Sequence, residues 1–398
     1  MSSEHGTLQQ QRCPHGLELG TAAQPAQRTD ERLIRIDSFA GAREVLRSAD
    51  VRQAGFNAEL VARFIGGAHA PVLYQDGEPH QRQRSATARF FAPRVVATRY
   101  RELIERTSRD LVARFRTAGR GRLDDMSLEL AVAVAADIVG LTNSDRTRMA
   151  ERLNRFFTAP VHGQGMFGTL QQVLLGQWRM LSFHWFDVRP AIRARRVEPR
   201  EDVISHLIRE GYSDREILTE CLTYGAAGMA TTREFIVMAA CRLLERDELR
   251  SRFLQADEQD QMAILEEVLR LEPVVSTLKR RAAQDLTVET GAGTLAIPAR
   301  SLVEIDIGAA NRDDAAAGPC PHLLDPDRAR TTKASASLMS FGDGPHRCPG
   351  AAVALHEAAI FLAELLRIPG LRLVQPPTLT VNPVSSGYEL RGAVIEAG

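Results

Sequence analysis

The sequence has no surplus of either charge. Its 398 residues contain 50 Lys and Arg against 50 Asp and Glu, so the formal net charge is zero. Proteins that bind nucleic acid gain affinity by neutralising phosphates, which favours a basic surplus. The balance therefore predicts that nucleic acid is not a partner.

Cysteine is scarce and irregularly placed. The five cysteines form an odd number scattered over a large chain, at Cys13, Cys221, Cys241, Cys320 and Cys348. Small disulfide scaffolds need a much denser and more regular set. The pattern does not indicate a disulfide framework.

A long hydrophobic run without charge is also missing. The most apolar stretch, about 218–244, contains Glu220, Arg233, Glu234 and Arg242. A charge at the centre of a bilayer costs about 3 kcal/mol on insertion scales. We therefore expect a buried core helix there and no contact with a membrane.

The first 30 residues are polar and show neither an apolar segment nor a cleavage-site pattern. We expect residues 1–30 to form a flexible tail. The protein is predicted to be soluble and cytoplasmic.

Hydrophobic residues make up 44% of the chain, enough for a large core. The pattern is helical over most of 77–271, with a capping box at Ser213 to Glu216. The segment 285–308 is rich in β-branched residues and glycine, which predicts a hairpin or small sheet. With no repeats and no Gly/Ser linker, we expect one mainly α domain with a minor β part over 31–398.

The segment FGDGPHRCPG, residues 341–350, carries the most specific chemistry. Its glycines permit close approach of the backbone to a flat ligand. Cys348 directly precedes a predicted helix, whose unpaired N–H groups lower the pKa of a thiol, and His346 and Arg347 add positive potential. A thiolate there would serve either as a nucleophile, which needs a base partner, or as an axial ligand of haem iron.

This segment resembles the haem-binding loop of the cytochrome P-450 superfamily, with the pattern Phe-x-x-Gly-x-x-x-Cys-x-Gly. Phe341, Gly344, Cys348 and Gly350 match each fixed position. The resemblance implies the cytochrome P-450 fold, with haem b held between a long central helix and the C-terminal cysteine loop. Cys348 would be the axial ligand of the iron, and Phe341, Gly342 and Gly350 would contact the cofactor.

A second sequence motif of the family is Glu-x-x-Arg on a helix, where the i, i+3 spacing lets the two side-chain charges pair. The tetrapeptide EVLR occurs at 44–47 and again at 267–270, and only the later copy precedes the β-rich segment and the cysteine loop. The resemblance implies a structural network of Glu267, Arg270 and Arg328.

The family also holds the two haem propionates with cations. His80 and Arg84 lie i, i+4 on one predicted helix face. The resemblance gives them this role, together with His346 and with Arg280. Because Arg281 is adjacent to Arg280, a shift of one residue stays open.

The stretch GAAGMATT, 225–232, resembles the family's oxygen-binding groove, in which small residues leave room for dioxygen and water. A hydroxyl that bonds back to the i−4 carbonyl loosens a helix locally. By resemblance, Ala227, Gly228 and Thr231 form the catalytic groove, with Thr231 steadying bound oxygen and helping proton delivery.

Ala230 departs from the family pattern, which has an acid at this position. Three explanations stay open: the substrate supplies a polar group, ordered water enters, or the reaction is an oxidative coupling or ring closure. Glu234 is a distant and unfavourable substitute for the acid.

The resemblance is to soluble bacterial members, whose electrons come from a ferredoxin and its reductase. It implies a monooxygenase acting on a medium-sized apolar or aromatic small molecule in bacterial secondary metabolism. The alternative is an oxidase that forms a C–C, C–N or C–O bond without inserting oxygen. Other classes are a non-catalytic haem protein and a cysteine hydrolase. The expected pocket residues are Phe64, Phe156, Met166, Tyr224, Val275 and Tyr388.

Overall fold

A computed structural model describes residues 33–56, 58, 70–157, 166–291, 293–331, 336–382 and 386–398. The predicted tail 1–30 lies outside these residues, as do most of the expected loop 55–75 and most of the predicted break at 158–168. The described part is mainly helical, as the sequence predicts.

Thirteen described helices of seven residues or more carry the fold. They are α1 Phe39–Arg47, α2 Gly77–Ala88, α3 Arg101–Ala118, α4 Leu123–Val139, α5 Arg146–Phe157, α6 Met166–Phe183, α7 Arg189–Val197, α8 Val203–Arg209, α9 Asp214–Tyr224, α10 Thr231–Leu244, α11 Asp247–Gln255, α12 Glu258–Leu271 and α13 Ala351–Leu366. Short helical turns lie at Pro93–Val95, Ile307–Ala310, Asp314–Ala317 and Arg328–Thr331, with 3-10 turns at Val72–Tyr74 and Gly344–His346.

Three π-helical segments interrupt or join these helices, at Val96–Tyr100, His184–Val188 and Gly225–Ala230. The last of them joins α9 to α10, so residues 214–244 form one long helix with a wide turn in its middle. The capping box that opens it is confirmed, since Ser213 and Glu216 each bond to the backbone of the other.

The strands are β1 Leu33–Ile36, β2 Val51–Gln53, β3 Arg120–Arg122, β4 Thr277–Ala282, β5 Leu286–Thr290, β6 Gly293–Ile297, β7 Leu302–Asp306, β8 Arg372–Gln375, β9 Thr378–Asn382, β10 Gly387–Arg391 and β11 Val394–Glu396. In the described part the largest sheet has the order β1-β7-β4-β2, with β1 parallel to β7 and the other pairs antiparallel. The predicted hairpin is confirmed as β5 and β6.

The main core lies between the helices. α10 is buried along most of its length and packs against α4 and α13, while α13 packs against α3 and α12. A smaller core lies between α1 and the four-stranded sheet. The segment Gly344–Leu366, which includes α13, is the one described helix long and apolar enough to cross a membrane, but 61% of its apolar window is buried inside the protein. It is the core helix that follows the cysteine loop.

The cysteines differ in state. Cys221, Cys241 and Cys348 are free thiols. Cys320, however, is disulfide-bonded, which the sequence analysis did not anticipate.

Candidate functional site

The cysteine loop is fixed by its glycines and by one backbone bond. Gly342 and Gly344 have positive φ angles of 69° and 67°, which side chains with a Cβ rarely adopt. A Cβ on Gly344 would also lie 2.2 Å from the carbonyl oxygen of Leu46. The Cys348 amide donates to the Phe341 carbonyl at 2.8 Å. The loop therefore closes on itself and places Cys348 two residues before Gly350, the N-cap of α13.

The electrostatics of Cys348 correct one expectation. Burial is the largest influence and raises the pKa of the Cys348 thiol. The amides of Gly350 and Ala351 and the charges of Arg84 and Arg347 act in the opposite direction, as the sequence predicts, but they do not outweigh burial. The protein alone therefore favours the neutral thiol, and a bound cation is needed to hold the thiolate.

The expected cations lie beside this loop. Arg84 on α2 donates to the carbonyl oxygen of Arg347, next to Cys348. The rings of His80 and His346 are stacked with their centroids 4.0 Å apart. His346 Nε2 lies 3.4 Å from Asp76 Oδ1. Burial, together with the charges of His346 and Arg84, lowers the pKa of His80 to about 4, so His80 is neutral at physiological pH.

The alternation of β4 places Arg280 and Arg281 on opposite faces of the strand. Arg280 is 3% exposed and points inward, where it donates to Gln53 Oε1 at 2.5 Å and to the Lys279 carbonyl at 2.8 Å. Arg281 points to the opposite face and donates to the Arg300 carbonyl at 3.1 Å. Within the described residues, no carboxylate lies within ion-pair distance of Arg280, and burial lowers its pKa to about 10.

A buried guanidinium without a carboxylate partner is costly unless an anion binds it. Arg280, Arg84 and His80 converge from two elements, and His346 joins them from the cysteine loop. This set fits a ligand with two carboxylates, while the glycines of the loop leave room for a flat body. The residues present therefore fit haem b: Arg84, Arg280, His80 and His346 would hold its propionates, and Cys348 would hold its iron.

The predicted groove has an unusual backbone. Residues Gly225–Ala230 form a π-helical segment, whose wider turn is common at functional sites. The Thr231 hydroxyl donates to the Ala227 carbonyl at 2.5 Å, which is the predicted i−4 bond. Ala227 is exposed and its neighbours Ala226, Gly228 and Ala230 are partly exposed, and a Cβ added to Gly228 would meet only Ala135 within 4 Å. The segment thus presents small residues to open space.

Glu234 is engaged elsewhere. It is buried, forms an ion pair with Arg233 and Arg391, and accepts a hydrogen bond from the Leu390 amide at 2.7 Å. These bonds tie α10 to β10. Glu234 is therefore not free to replace the acid that is absent at Ala230.

The structure brings the charged network together. Arg270 donates two bonds to the Glu267 carboxylate, at 2.7 and 2.8 Å, and Arg328 donates a third at 3.1 Å. The remaining donors of the arginines reach the backbone carbonyls of Asn311, Ala317, Pro319, Cys320, Pro321 and Leu323. The network therefore fixes the irregular segment that leads to the cysteine loop. By contrast, the earlier EVLR copy lies on α1.

The pocket candidates are placed in two groups. Val275 bridges Gly387, and the adjacent Tyr388 donates its hydroxyl to the Glu272 carbonyl at 3.0 Å. Tyr224 lies elsewhere, with its ring stacked on Phe91 at 5.7 Å. The side chains of Phe64, Phe156 and Met166 lie outside the part of the chain that the structure describes.

Several residues of the site were not found from the sequence. Asp76 pairs with His346, and Gln53 accepts from Arg280. Gln83 and Glu220 bond to each other beside His80 and Arg84. Of these residues, only Glu220 could have been singled out from the sequence, since it is an acid within the most apolar stretch of the chain.

Comparison with known proteins agrees with this geometry. The sequence model of the cytochrome P-450 family matches residues 188–368. Cytochrome P-450 130 of Mycobacterium tuberculosis is 29% identical over 308 residues, which cover 74% of this chain and 70% of that protein. The mycinamicin IV hydroxylase/epoxidase of Micromonospora griseorubida is 28% identical over 334 residues, or 81% and 77% of the two chains. The crystal structure of CalO2 superposes with a TM-score of 0.76 and 25% identity, covering 94% of this chain and 93% of that one.

The helical fold, the cysteine loop and these sequence similarities support a bacterial cytochrome P-450, an oxidoreductase with haem b as its cofactor.

Proposed function

We propose that this enzyme is a haem-thiolate monooxygenase that oxidises a medium-sized apolar or aromatic small molecule, by hydroxylation or a similar reaction, in bacterial secondary metabolism. The observation that carries the proposal is the convergence of Arg84, Arg280, His80 and His346 beside the cysteine loop, in a chain whose long helix has a π-helical groove.

Haem b, bound through the Cys348 sulfur, supplies the redox chemistry that activates dioxygen. The Cys348 thiol would lose its proton on binding iron, and the charge of the metal would offset the cost of burying the negative sulfur. The Gly350 and Ala351 amides then point at a sulfur that carries charge. Hydrogen bonds to a ligating sulfur tune the redox potential of the metal.

The chain's own residues prepare the other side of the site. The small side chains at Ala226, Ala227 and Ala230 leave space, and the carbonyl of Ala227 is occupied by the Thr231 hydroxyl. The Thr231 oxygen still has lone pairs to accept a proton donor such as water. We assign Thr231 the role of holding that water and passing protons into the groove.

The substrate is proposed to lie against the groove and the strand end around Val275 and Tyr388. The named relatives include a mycinamicin hydroxylase/epoxidase, nocardicin C N-oxygenase and cyclomarin C epoxidase. These names support a role in modifying natural products. Electrons would come from a ferredoxin and its reductase, and we propose that the enzyme acts in the cytoplasm, without nucleic acid or membrane partners.

A second candidate function is an oxidase that forms a C–C, C–N or C–O bond or closes a ring without inserting oxygen. Ala230 favours it, because alanine cannot relay a proton and Glu234 is tied to Arg233 and Arg391. A reaction that draws hydrogen atoms or protons from the substrate itself depends less on such a relay.

The test is an optical titration followed by isotope labelling. The purified protein should show a haem absorption band, and a panel of natural-product-like compounds should shift the iron spin state for one compound class. Turnover of that compound with ferredoxin, reductase and ¹⁸O₂ should then place one labelled oxygen in the product. Product without label would favour the bond-forming oxidase, and absence of any haem band would refute both functions.

A further inference from the structure

Arg233 is a buried cation on α10, two residues beyond Thr231 and the groove. It is 3% exposed. Its Nη1 donates to Asn154 Oδ1 at 2.7 Å, and its Nε donates to Glu234 Oε1 at 2.9 Å. Because Asn154 lies on α5, the first of these bonds joins α5 to the helix that carries the groove.

The helix α5 lies directly beside the groove. It packs against the π-helical segment Gly225–Ala230 and against α4. On another side, Arg152 of α5 donates two bonds to Asp187, at 2.7 and 2.6 Å, in the segment His184–Val188. The bond from Arg233 therefore adds a directional polar contact where α5 meets the groove helix.

The neighbouring Glu234 makes the corresponding contact on another side of α10. Adjacent residues of an α-helix point in directions about 100° apart. Arg233 therefore reaches α5, while Glu234 accepts from the Leu390 amide and from Arg391 Nη1 of β10, each at 2.7 Å. β10 also carries Tyr388, which we place beside the substrate. The two adjacent charges thus link α10 to two elements that border the proposed substrate site.

The arrangement of these charges separates the role of Arg233 from simple neutralisation. The Glu234 carboxylate already has Arg391 and the Leu390 amide as partners, so it does not depend on Arg233 for a counter-charge. A buried ion pair is by itself weak evidence for stability. The rigid fork of the Arg233 guanidinium instead bridges Glu234 and Asn154, with a different nitrogen bonded to each. Arg233 therefore holds α5 against a carboxylate that β10 has already fixed.

We propose that Arg233 is a positioning residue which holds α5 at the groove through Asn154, so that the pocket for a medium-sized substrate is formed before the substrate binds. The inference rests on the proposed function and deepens it. Arg233 acts through α5 and not by touching the substrate, since its side chain is buried. A pocket that is already formed binds its ligand more tightly, because binding does not have to order it.

The experiment compares four variants of the holoprotein. Asn154→Leu removes the acceptor for Arg233 with little change in volume, whereas Asn154→Asp keeps an acceptor, and both variants lose the Nδ2 donor. Arg233→Met removes the donor. Arg242→Met is the control on the same helix, because it breaks the ion pairs with Glu245 and Glu272 toward the other end of α10.

The first measurement is amide hydrogen exchange over α5. We expect exchange there to become about tenfold faster in Asn154→Leu and Arg233→Met, because one net hydrogen bond is lost. Asn154→Asp and Arg242→Met should exchange like the wild type over this helix.

The second measurement is an optical titration with imidazole and with the bulky azole clotrimazole, both of which bind haem iron through a nitrogen atom. Asn154→Leu and Arg233→Met should bind clotrimazole about tenfold more weakly, because the larger ligand must now order α5. They should bind imidazole like the wild type, since it is too small to fill the pocket.

The inference is overturned if Asn154→Leu exchanges like the wild type over α5, or if Asn154→Asp exchanges as fast as Asn154→Leu. It is also overturned if both azoles bind more weakly by the same factor, because that result shows a general loss of stability, which urea unfolding of each holoprotein measures. Should Arg233→Met fail to fold, the two Asn154 variants decide, since they keep Arg233 and Glu234.

Failure of the proposed function gives a different result. A protein without a haem band would refute that function before any variant is compared. A wild type that binds imidazole but not clotrimazole would contradict the proposed substrate class, while exchange over α5 still decides the role of Arg233.

Discussion

The Thr231 hydroxyl donates a hydrogen bond to the carbonyl oxygen of Ala227, 2.5 Å away, at the end of the π-helical segment. This bond fixes the hydroxyl at the edge of the groove and replaces part of the ordinary helical bonding. The loss of regular structure in a buried helix therefore creates both space and a positioned hydroxyl.

We expect Thr231→Ala to uncouple dioxygen consumption from product formation by about tenfold, because a positioned proton donor contributes at least that much. Thr231→Ser should restore most of the coupling, since it keeps the hydroxyl. Ala230→Asp should change coupling little if water or substrate carries the protons. The ratio of product formed to electrons supplied and dioxygen consumed measures the effect, and a large gain from Ala230→Asp would contradict this view of proton delivery.

Arg280→Met should raise the unfolding free energy of the haem-free protein and weaken haem retention in the haem-bound protein. It removes a buried cation that has no carboxylate partner in the described structure, so the haem-free protein should gain about 1 to 3 kcal/mol of unfolding free energy. The same change should weaken haem retention, because a propionate loses its partner. Urea unfolding and haem transfer measure the two effects. Arg281→Met, on the outward face of β4, is the control and should change neither much.

Glu267→Gln should destabilise the protein by about 3 to 5 kcal/mol, because it leaves two buried guanidinium groups without their carboxylate. The control is Glu78→Gln in the pair of Glu78 with Arg82, whose side chains are 81% and 78% exposed. That change should stay within about 0.5 kcal/mol. Equal losses of unfolding free energy in urea for both variants would argue against the buried network.

Arg300→Gly should stabilise the protein slightly. Arg300 has a φ angle of 66° in the turn before β7, where a residue with a Cβ costs about 1 kcal/mol or more. Its bond from Arg281 uses the backbone carbonyl and survives the change. We expect a net gain of about 0.5 kcal/mol after the added flexibility of glycine in the unfolded chain. Ala299→Gly, which lacks the positive φ angle, should instead lower the melting temperature.

Glu220 should make stability depend on pH. Its pKa rises from an ordinary value of 4.5 to about 7 on folding, so the unfolded chain releases the proton first. Stability from this group is therefore complete below pH 4.5 and is lost as pH rises through 7, by about 3 kcal/mol in total. The difference in unfolding free energy between wild type and Glu220→Gln should follow this curve. A difference that does not vary between pH 5 and 8 would refute it.

Much of the fold could be predicted because the sequence patterns that indicate its helices and strands are local. The helix at 258–271, the capping box and the β hairpin depend on periodicity and on residues a few positions apart. The cysteine loop was recognised because its ligand, glycines and helix start are contiguous. Burial was harder to predict, as the pKa of Cys348 shows. The helix start and the neighbouring arginine, which lower the pKa of the thiol, can be read from the sequence. Desolvation, which raises the pKa and outweighs them, depends on the whole fold.

The sequence by itself predicted the class of protein, and it located the cysteine loop and the small-residue segment that we propose as axial ligand and groove, since each is a short segment whose chemistry is set by neighbours in the chain. Only the tertiary structure decided that Arg280 and not Arg281 points inward, because the facing of a strand depends on its register with β2 and β7. It also showed that Glu234 forms ion pairs with Arg233 and Arg391, and that the Glu220 carboxylate on α9 accepts a hydrogen bond from Gln83 on α2. Glu234 and Arg391, like Glu220 and Gln83, are more than a hundred positions apart, and packing alone brings them into contact.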